Sequence, residues 1–80
     1  HRKEVSTALN SMIEQGCTIE GNVSDSTVLE GAKISAGAIV QGCLVGKGAN
    51  IGSNAYLENV IIDHHAVIPS GYKQTQGSFN

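Results

Sequence analysis

The stretch that decides how this chain folds is residues 47–71, "KGANIGSNAYLENVIIDHHAVIPSG". Aliphatic side chains recur in it every five or six positions, at Ile51, Leu57, Ile62 and Ile68, and mostly small or polar residues lie between them. An α-helix would repeat its apolar positions about every 3.6 residues, and a half-exposed strand every two. Neither period fits. The stretch therefore predicts short extended segments, each led by one aliphatic residue and followed by a corner.

The spacing continues along most of the chain as a 17-residue repeat with steps of six, six and five residues. Three short sides of this kind close one triangular coil, and stacked coils place equivalent aliphatic residues above one another. We therefore predict an all-β fold, a parallel β-helix of hexapeptide repeats with three to four coils and almost no helix. Its buried leading residues are predicted to be Ile34, Val40, Val45, Ile51, Leu57, Ile62 and Ile68.

Two further registers support the repeat. The residues four beyond a leading residue should turn inward, and most are small because a narrow triangular core has little room. These are Cys17, Val23, Ala32, Ala38, Leu44, Ala49, Ala55, Ile61, Ala66 and Tyr72. On the six-residue sides, the residues three beyond a leading residue are all Gly, Asn or His, which take positive φ more readily than other types and so suit tight corners. These are Gly16, Asn22, Gly31, Gly37, Gly48, Asn54, His65 and Gly71.

The repeat also predicts where the β-helix begins and ends. Residues 1–10 are predicted to be a polar lead-in that ends in a short entering strand, residues 11–72 the β-helix, and residues 73–80 a polar tail that frays. Ile13 and Ile19 lead sides of a less regular first coil. The next leading residue is Val28 or Leu29, so residues 24–27, "SDST", are expected to form an irregular corner where the register slips.

Composition limits the partners and the location that we expect for the protein. A net charge of −2 gives no reason to expect a nucleic acid or an anionic membrane as partner. No apolar run approaches the ~18 residues of a transmembrane helix, and no signal peptide opens the chain. The two cysteines, Cys17 and Cys43, fit no metal or disulfide pattern and are expected to be free thiols that do not reach each other, as in a reducing cytosol. We therefore expect a cytoplasmic protein.

Three motifs carry a resemblance to a known family: "NSMIEQGCTIEG" at 10–21, "NAYLENVIID" at 54–63 and "AVIPSG" at 66–71. They resemble the C-terminal domain of bacterial glucose-1-phosphate adenylyltransferase (ADP-glucose pyrophosphorylase) and of its regulatory-type paralogue in glycogen biosynthesis. The resemblance covers about residues 10–71 and implies a left-handed β-helix, against the usual right-handed crossover. Between Leu29 and Ile34 the chain departs from the family, since "EGAK" looks one residue shorter than usual.

The resemblance also implies that the catalytic site lies in a different domain. In the family, nucleotidyl transfer with ATP and Mg belongs to an N-terminal Rossmann-like domain, and this chain has no glycine-rich nucleotide-binding motif. We therefore expect an excised C-terminal domain or a fragment of a longer polypeptide, with no catalytic, cofactor-binding or metal-binding residues of its own. Its expected role is oligomerisation and allosteric regulation. Its expected partners are its own N-terminal catalytic domain and other subunits of a homo- or hetero-oligomer.

Two other functions stay open at this point. A fragment of a hexapeptide-repeat acyltransferase would use a β-helix histidine as general base, and a related metal site would need three histidines on neighbouring coils. His64 and His65 are the only clustered candidates, and His1 lies far from any hexapeptide, so we expect both to be solvated corner residues. A purely structural β-helix module is the third alternative.

The remaining charged residues are expected to be solvated. The carboxylates Asp63, Glu58 and Glu30 lie on different sides or coils and form no acid–base pair. Lys33 and Lys47 are expected near corners of the outer surface, and no effector-binding role is assigned to them.

Overall fold

The structure, a computed structural model, describes residues 8–80 as short β-strands joined by tight corners. The strands are β1 Ala8–Leu9, β2 Met12–Ile13, β3 Thr18–Ile19, β4 Asn22–Ser24, β5 Thr27–Val28, β6 Lys33–Ile34, β7 Ile39–Gln41, β8 Leu44–Val45, β9 Asn50–Ile51, β10 Tyr56–Glu58, β11 Val60–Ile62, β12 Val67–Ile68, β13 Lys73–Gln74 and β14 Gly77–Phe79. Residues 8–80 contain no helix, and hence none long and apolar enough to cross a bilayer.

The strands stack into three parallel sheets that form the sides of a triangular coil. The first sheet has the order β1-β4-β7-β10-β13, the second β14-β11-β8-β5-β2, and the third β12-β9-β6-β3. This is the left-handed parallel β-helix that the resemblance implied. Fourteen strands at three per turn make four full turns and two further sides, slightly more than predicted.

The core is a column of leading residues, as the repeat predicted. Ile34 pairs with Ile51 and Ile51 with Ile68 along the third sheet, so their side chains stack at intervals of about 4.8 Å. The seven leading residues predicted to be buried, together with Val28, are all at most 1% exposed, whereas Ile13 and Ile19 of the first coil are half-buried. Because each of the four full coils adds one aliphatic residue to each stack, the core is continuous but only a few side chains wide.

The fourth residue beyond a leading residue was predicted to turn inward. This prediction is confirmed on the six-residue sides and wrong on the five-residue sides. Ala32, Ala38, Ala49, Ala55 and Ala66 are buried as predicted. On the shorter sides, which join the first sheet to the second, the fourth residue directly precedes the next leading residue. It therefore faces the opposite way along the pleated strand. Consequently Leu44 and Ile61 face solvent, and the inward positions belong to Ser26, Cys43 and Val60.

The predicted corners have positive φ at seven of the eight positions, the exception being Asn22. A second set of positive-φ residues, which the sequence pattern did not predict, lies at the corner between the first and second sheets. There the positive-φ residue lies two beyond the leading residue. The members of this set are Asn10, Asp25, Gly42 and Asn59.

The register slip lies at residues 20–22, and its predicted position at 24–27 is wrong. Ile19 pairs with Ile34 and Val23 with Val40, so the step between them is four residues in the first coil and six in the second. Val23 is therefore itself a leading residue. Residues 24–27 form an ordinary five-residue side, and the 29–34 corner, expected to be short, is regular.

The last residues continue the coil, so the predicted fraying of residues 73–80 is wrong. Strand β13 pairs with β10 and β14 with β11, and the Tyr72 and Phe79 rings meet edge to face with centroids 5.2 Å apart. Polar composition did not prevent pairing because the backbone supplies the hydrogen bonds. At the other end β1 provides a short strand at Ala8–Leu9, and the remainder of the predicted lead-in, residues 1–7, lies outside the described residues.

Candidate functional site

The two clustered histidines lie on the corner between the second and third sheets, and both are exposed as expected. His64 uses its Nδ1 to accept a hydrogen bond from the Lys47 backbone amide at 2.8 Å. His65 has a φ of 60°, and its backbone amide donates to the Lys47 carbonyl at 2.8 Å. Both residues thus tie the fourth coil to the third. His1, the remaining histidine, lies outside the described residues.

The carboxylates do not form an acid–base pair. Asp63 accepts the backbone amide of His64 through Oδ1 at 2.8 Å, and Glu58 lies 3.5 Å from the Tyr56 hydroxyl. Glu30 is exposed on another coil. Within residues 8–80, no group of three His, Cys, Asp or Glu side chains is arranged to hold a metal ion.

Lys33 and Lys47 lie on the outer surface of the β-helix. Lys33 faces solvent from the third sheet, and Lys47 lies on the corner that His64 joins. The backbone of Lys47, rather than its ammonium group, makes the contacts that the structure defines there.

Both cysteines are free, as predicted. Cys17 is half-buried and its thiol donates to the Leu29 carbonyl at 3.1 Å. Cys43 is buried and its thiol donates to the Gln41 carbonyl at 3.2 Å. Burial raises the pKa of the Cys43 thiol, against the opposing effect of the neighbouring backbone groups, so the neutral thiol is favoured over the nucleophilic thiolate.

Cys43 belongs to a polar column that sequence reasoning missed. At the corner between the first and second sheets, Ser11 Oγ accepts the Ser26 amide at 3.1 Å, and Ser26 Oγ accepts the Cys43 amide at 3.0 Å. Each of the three side chains donates to the carbonyl two residues earlier. The 17-residue spacing of Ser26 and Cys43 was the available clue. The column satisfies buried backbone groups and leaves no reactive group free.

A shallow depression lies outside this corner, lined by Asn10, Ser11, Met12, Asp25, Ser26 and Thr27. Asn10 Nδ2 donates to Asp25 Oδ1 at 2.6 Å across its floor, and the Ser26 hydroxyl is used within the fold. The polar groups of the depression therefore serve mainly to join the first two coils.

The outer face of the second sheet carries a different kind of feature, which we call the apolar stripe. Strand pairing places Met12, Thr27, Leu44 and Ile61 in one row across four coils. Met12 is 64% exposed, Leu44 39% and Ile61 59%. In-register stacking at about 4.8 Å per coil makes the row roughly 14 Å long.

The other two outer faces are less apolar. The corresponding row on the third sheet contains Thr18, Lys33, Asn50 and Val67, of which only Val67 is a large hydrophobic residue, 64% exposed. On the first sheet, Ile39 and Tyr56 are half-buried, and Leu9 is 63% exposed in a row that continues with Ser24, Gln41 and Glu58. The row on the second sheet, in which Thr27 separates Met12 from Leu44 and Ile61, is therefore the most apolar of the three outer faces.

Comparison with known proteins agrees with this structure. The family model described as "GlmU-like, C-terminal hexapeptide" matches residues 1–75. Glucose-1-phosphate adenylyltransferases from Bacillus thuringiensis (strain Al Hakam), Bacillus mycoides (strain KBAB4) and Bacillus anthracis are each 38% identical over 61 residues, which is 76% of this chain. The aligned region is 16% of the length of each of these relatives. The chain therefore belongs to the GlmU-like C-terminal hexapeptide family.

Proposed function

We propose that this chain is the C-terminal β-helix domain of a cytoplasmic glucose-1-phosphate adenylyltransferase, or of its regulatory-type paralogue in glycogen biosynthesis. The parent reaction is ATP plus glucose 1-phosphate giving ADP-glucose and pyrophosphate, and a separate catalytic domain supplies the ATP and Mg sites. The names of the relatives support this assignment, and this chain spans only 16% of their length.

The observation that carries the proposed role is the apolar stripe. Its exposed apolar side chains sit on a domain in which His64 joins neighbouring coils, Asp63 accepts the amide of the next residue and the Cys43 thiol donates within its own coil. Burying an aliphatic side chain contributes about 1.5–3 kcal/mol. We propose that the catalytic domain of the same polypeptide covers the stripe, because a tethered partner needs less buried area than a free one.

The N-terminal end of the coil provides a second surface. Strands β2 and β3 are edge strands, and Ile13, Cys17 and Ile19 behind them are only partly buried among the described residues. An open edge with apolar side chains beside it favours association with another chain. We propose that other subunits contact this end, and that effector binding is transmitted to the catalytic domain through the stripe.

A double substitution tests the docking role. In the longer polypeptide that contains this chain and its catalytic domain, Leu44→Ser with Ile61→Ser should weaken the domain contact. Expected results are a lower melting temperature, faster proteolysis between the domains and reduced formation of ADP-glucose. The control is Val67→Ser on the third sheet, which removes an aliphatic side chain at least as exposed as Leu44 and Ile61 and should leave all three measurements unchanged.

Thermal melts of the 80-residue chain separate docking from folding. The double variant and the control should both melt near the unsubstituted chain, because all three side chains are exposed there. Equal effects of the double variant and of Val67→Ser in the longer polypeptide would remove the stripe from the proposed contact.

A further inference from the structure

The corner between the second and third sheets satisfies its backbone amides with ionisable side chains. The Glu30 amide donates to Glu14 Oε1 at 3.0 Å, the Lys47 amide to His64 Nδ1 at 2.8 Å, and the His64 amide to Asp63 Oδ1 at 2.8 Å. The three donors occupy the same position on successive coils, two residues beyond the leading residue. Elsewhere the coils are joined mainly by backbone–backbone bonds.

The three acceptors respond differently to acid. A protonated carboxyl group still has an oxygen that can accept a hydrogen bond, so Glu14 and Asp63 keep acceptor capacity. A protonated imidazole carries hydrogen on both nitrogens and can accept none. The bond from Lys47 therefore requires neutral His64 with its hydrogen on Nε2.

We propose that His64 is a pH-responsive link between the third and fourth coils, closed when its ring is neutral and opened when the ring is protonated. Histidine is the side chain that changes charge between about pH 5 and 8. Protonation replaces an acceptor with a second donor facing the Lys47 amide. The corner then keeps two backbone bonds between these coils, from the Gly46 amide to the Ile62 carbonyl and from the His65 amide to the Lys47 carbonyl, both at 2.8 Å.

The charged groups around this link favour a local effect. On the fourth coil they are Asp63 and His65, and on the third coil Lys47 itself. Glu30 lies one coil further, where its carbonyl accepts the Gly48 amide at 3.0 Å. On the last coil, residues 77–80 are Gly, Ser, Phe and Asn, and in the 80-residue chain the only charge they add is the terminal carboxylate of Asn80, next to Phe79, whose carbonyl accepts the Asp63 amide at 2.9 Å. Protonated His64 keeps Asp63 beside it, so we expect the ring to turn toward that carboxylate while the coil stays folded.

The test compares the 80-residue chain with His64→Asn by NMR. Asparagine Oδ1 occupies the place of Nδ1, two bonds from Cβ, and accepts a hydrogen bond at any of these pH values. In the unsubstituted chain, the protection of the Lys47 amide from hydrogen exchange, normalised to its intrinsic rate, should fall about two- to tenfold between pH 8 and pH 5.5. In His64→Asn it should stay constant.

His65→Asn serves as the second control. Asparagine tolerates the positive φ at this position, and the Lys47 protection should still fall with pH because His64 is retained. Ring nitrogen shifts of His64 at pH 8 should show hydrogen on Nε2. The proposal is wrong if Lys47 protection does not change with pH, if the change persists in His64→Asn, or if the ring carries its hydrogen on Nδ1.

Discussion

At the scale of single residues, the fold depends on how corner positions satisfy backbone groups. Ser11, Ser26 and Cys43 repeat one arrangement, in which the side chain donates to a carbonyl two residues back and the oxygen of each serine accepts an amide from the next coil. A buried amide without an acceptor costs about 1–3 kcal/mol. The polar column is therefore structural even though it contains nucleophilic atoms.

Cys43 gives a pH prediction at this scale. Burial raises the pKa of its thiol above the ordinary 9.0. Below pH 9 the thiol is neutral in both states and its contribution to stability is complete. At higher pH the unfolded thiol ionises first, so stability falls as the pH rises through the folded-state pKa. Melting temperatures between pH 8 and 10.5 should fall more steeply for the unsubstituted chain than for Cys43→Ala, and equal slopes would contradict the assignment.

At the scale of one coil, the short step at residues 20–22 shows how the β-helix tolerates a deletion. The chain crosses from Ile19 to Val23 in four residues where later coils use six, and Gly21 lies within this step. A Cβ at Gly21 would lie 2.6 Å from the Ala38 carbonyl oxygen and 2.7 Å from that of Ser35. Glycine is required here by contact, since its φ is not positive.

We therefore predict that Gly21→Ala destabilises the chain by about 1–3 kcal/mol, the usual cost of overpacking, because backbone atoms cannot move aside like a side-chain end. The neighbouring Asn22→Ala is exposed and should change stability by less than about 0.5 kcal/mol. Urea denaturation of both variants provides the measurement. A Gly21→Ala midpoint equal to that of Asn22→Ala would mean that the two coils are further apart than described.

At the scale of the whole molecule, the β-helix is a linear stack in which each coil contacts only its neighbours. Ile51 lies in the middle of the third-sheet stack and is fully buried, whereas Ile13 lies at the N-terminal end and is half-buried. Ile51→Ala should cost about 2–5 kcal/mol, a large part of the stability of a small domain. Ile13→Ala should cost less, and the exposed Asn50→Ala almost nothing. Melts of all three rank them, and similar small shifts for Ile51 and Asn50 would remove Ile51 from the core.

The sequence predicted the core of this molecule better than its surface. Ile34, Ile51 and Ile68 could be placed because a strict repeat acts on every coil. Leu44 and Ile61 were assigned inward, since the five-residue sides were read with the register of the six-residue sides. That single shift reverses the side chain's direction, and it concealed the apolar stripe. The slip at residues 20–22 was missed because Val23 was read as an inward residue four beyond Ile19, and its pairing with Val40 is what identifies it as a leading residue.

Because the coils stack regularly, their number fixes the length of the domain along its axis. Each added set of 17 residues lengthens the axis by about 4.8 Å and leaves every other side chain on its original face. An insertion or deletion of another length rotates the following faces around the axis unless a corner absorbs the difference, as the four-residue step from Ile19 to Val23 does in the first coil. The spacing between partners bound along the stripe and partners bound at the N-terminal end can therefore change only in discrete steps.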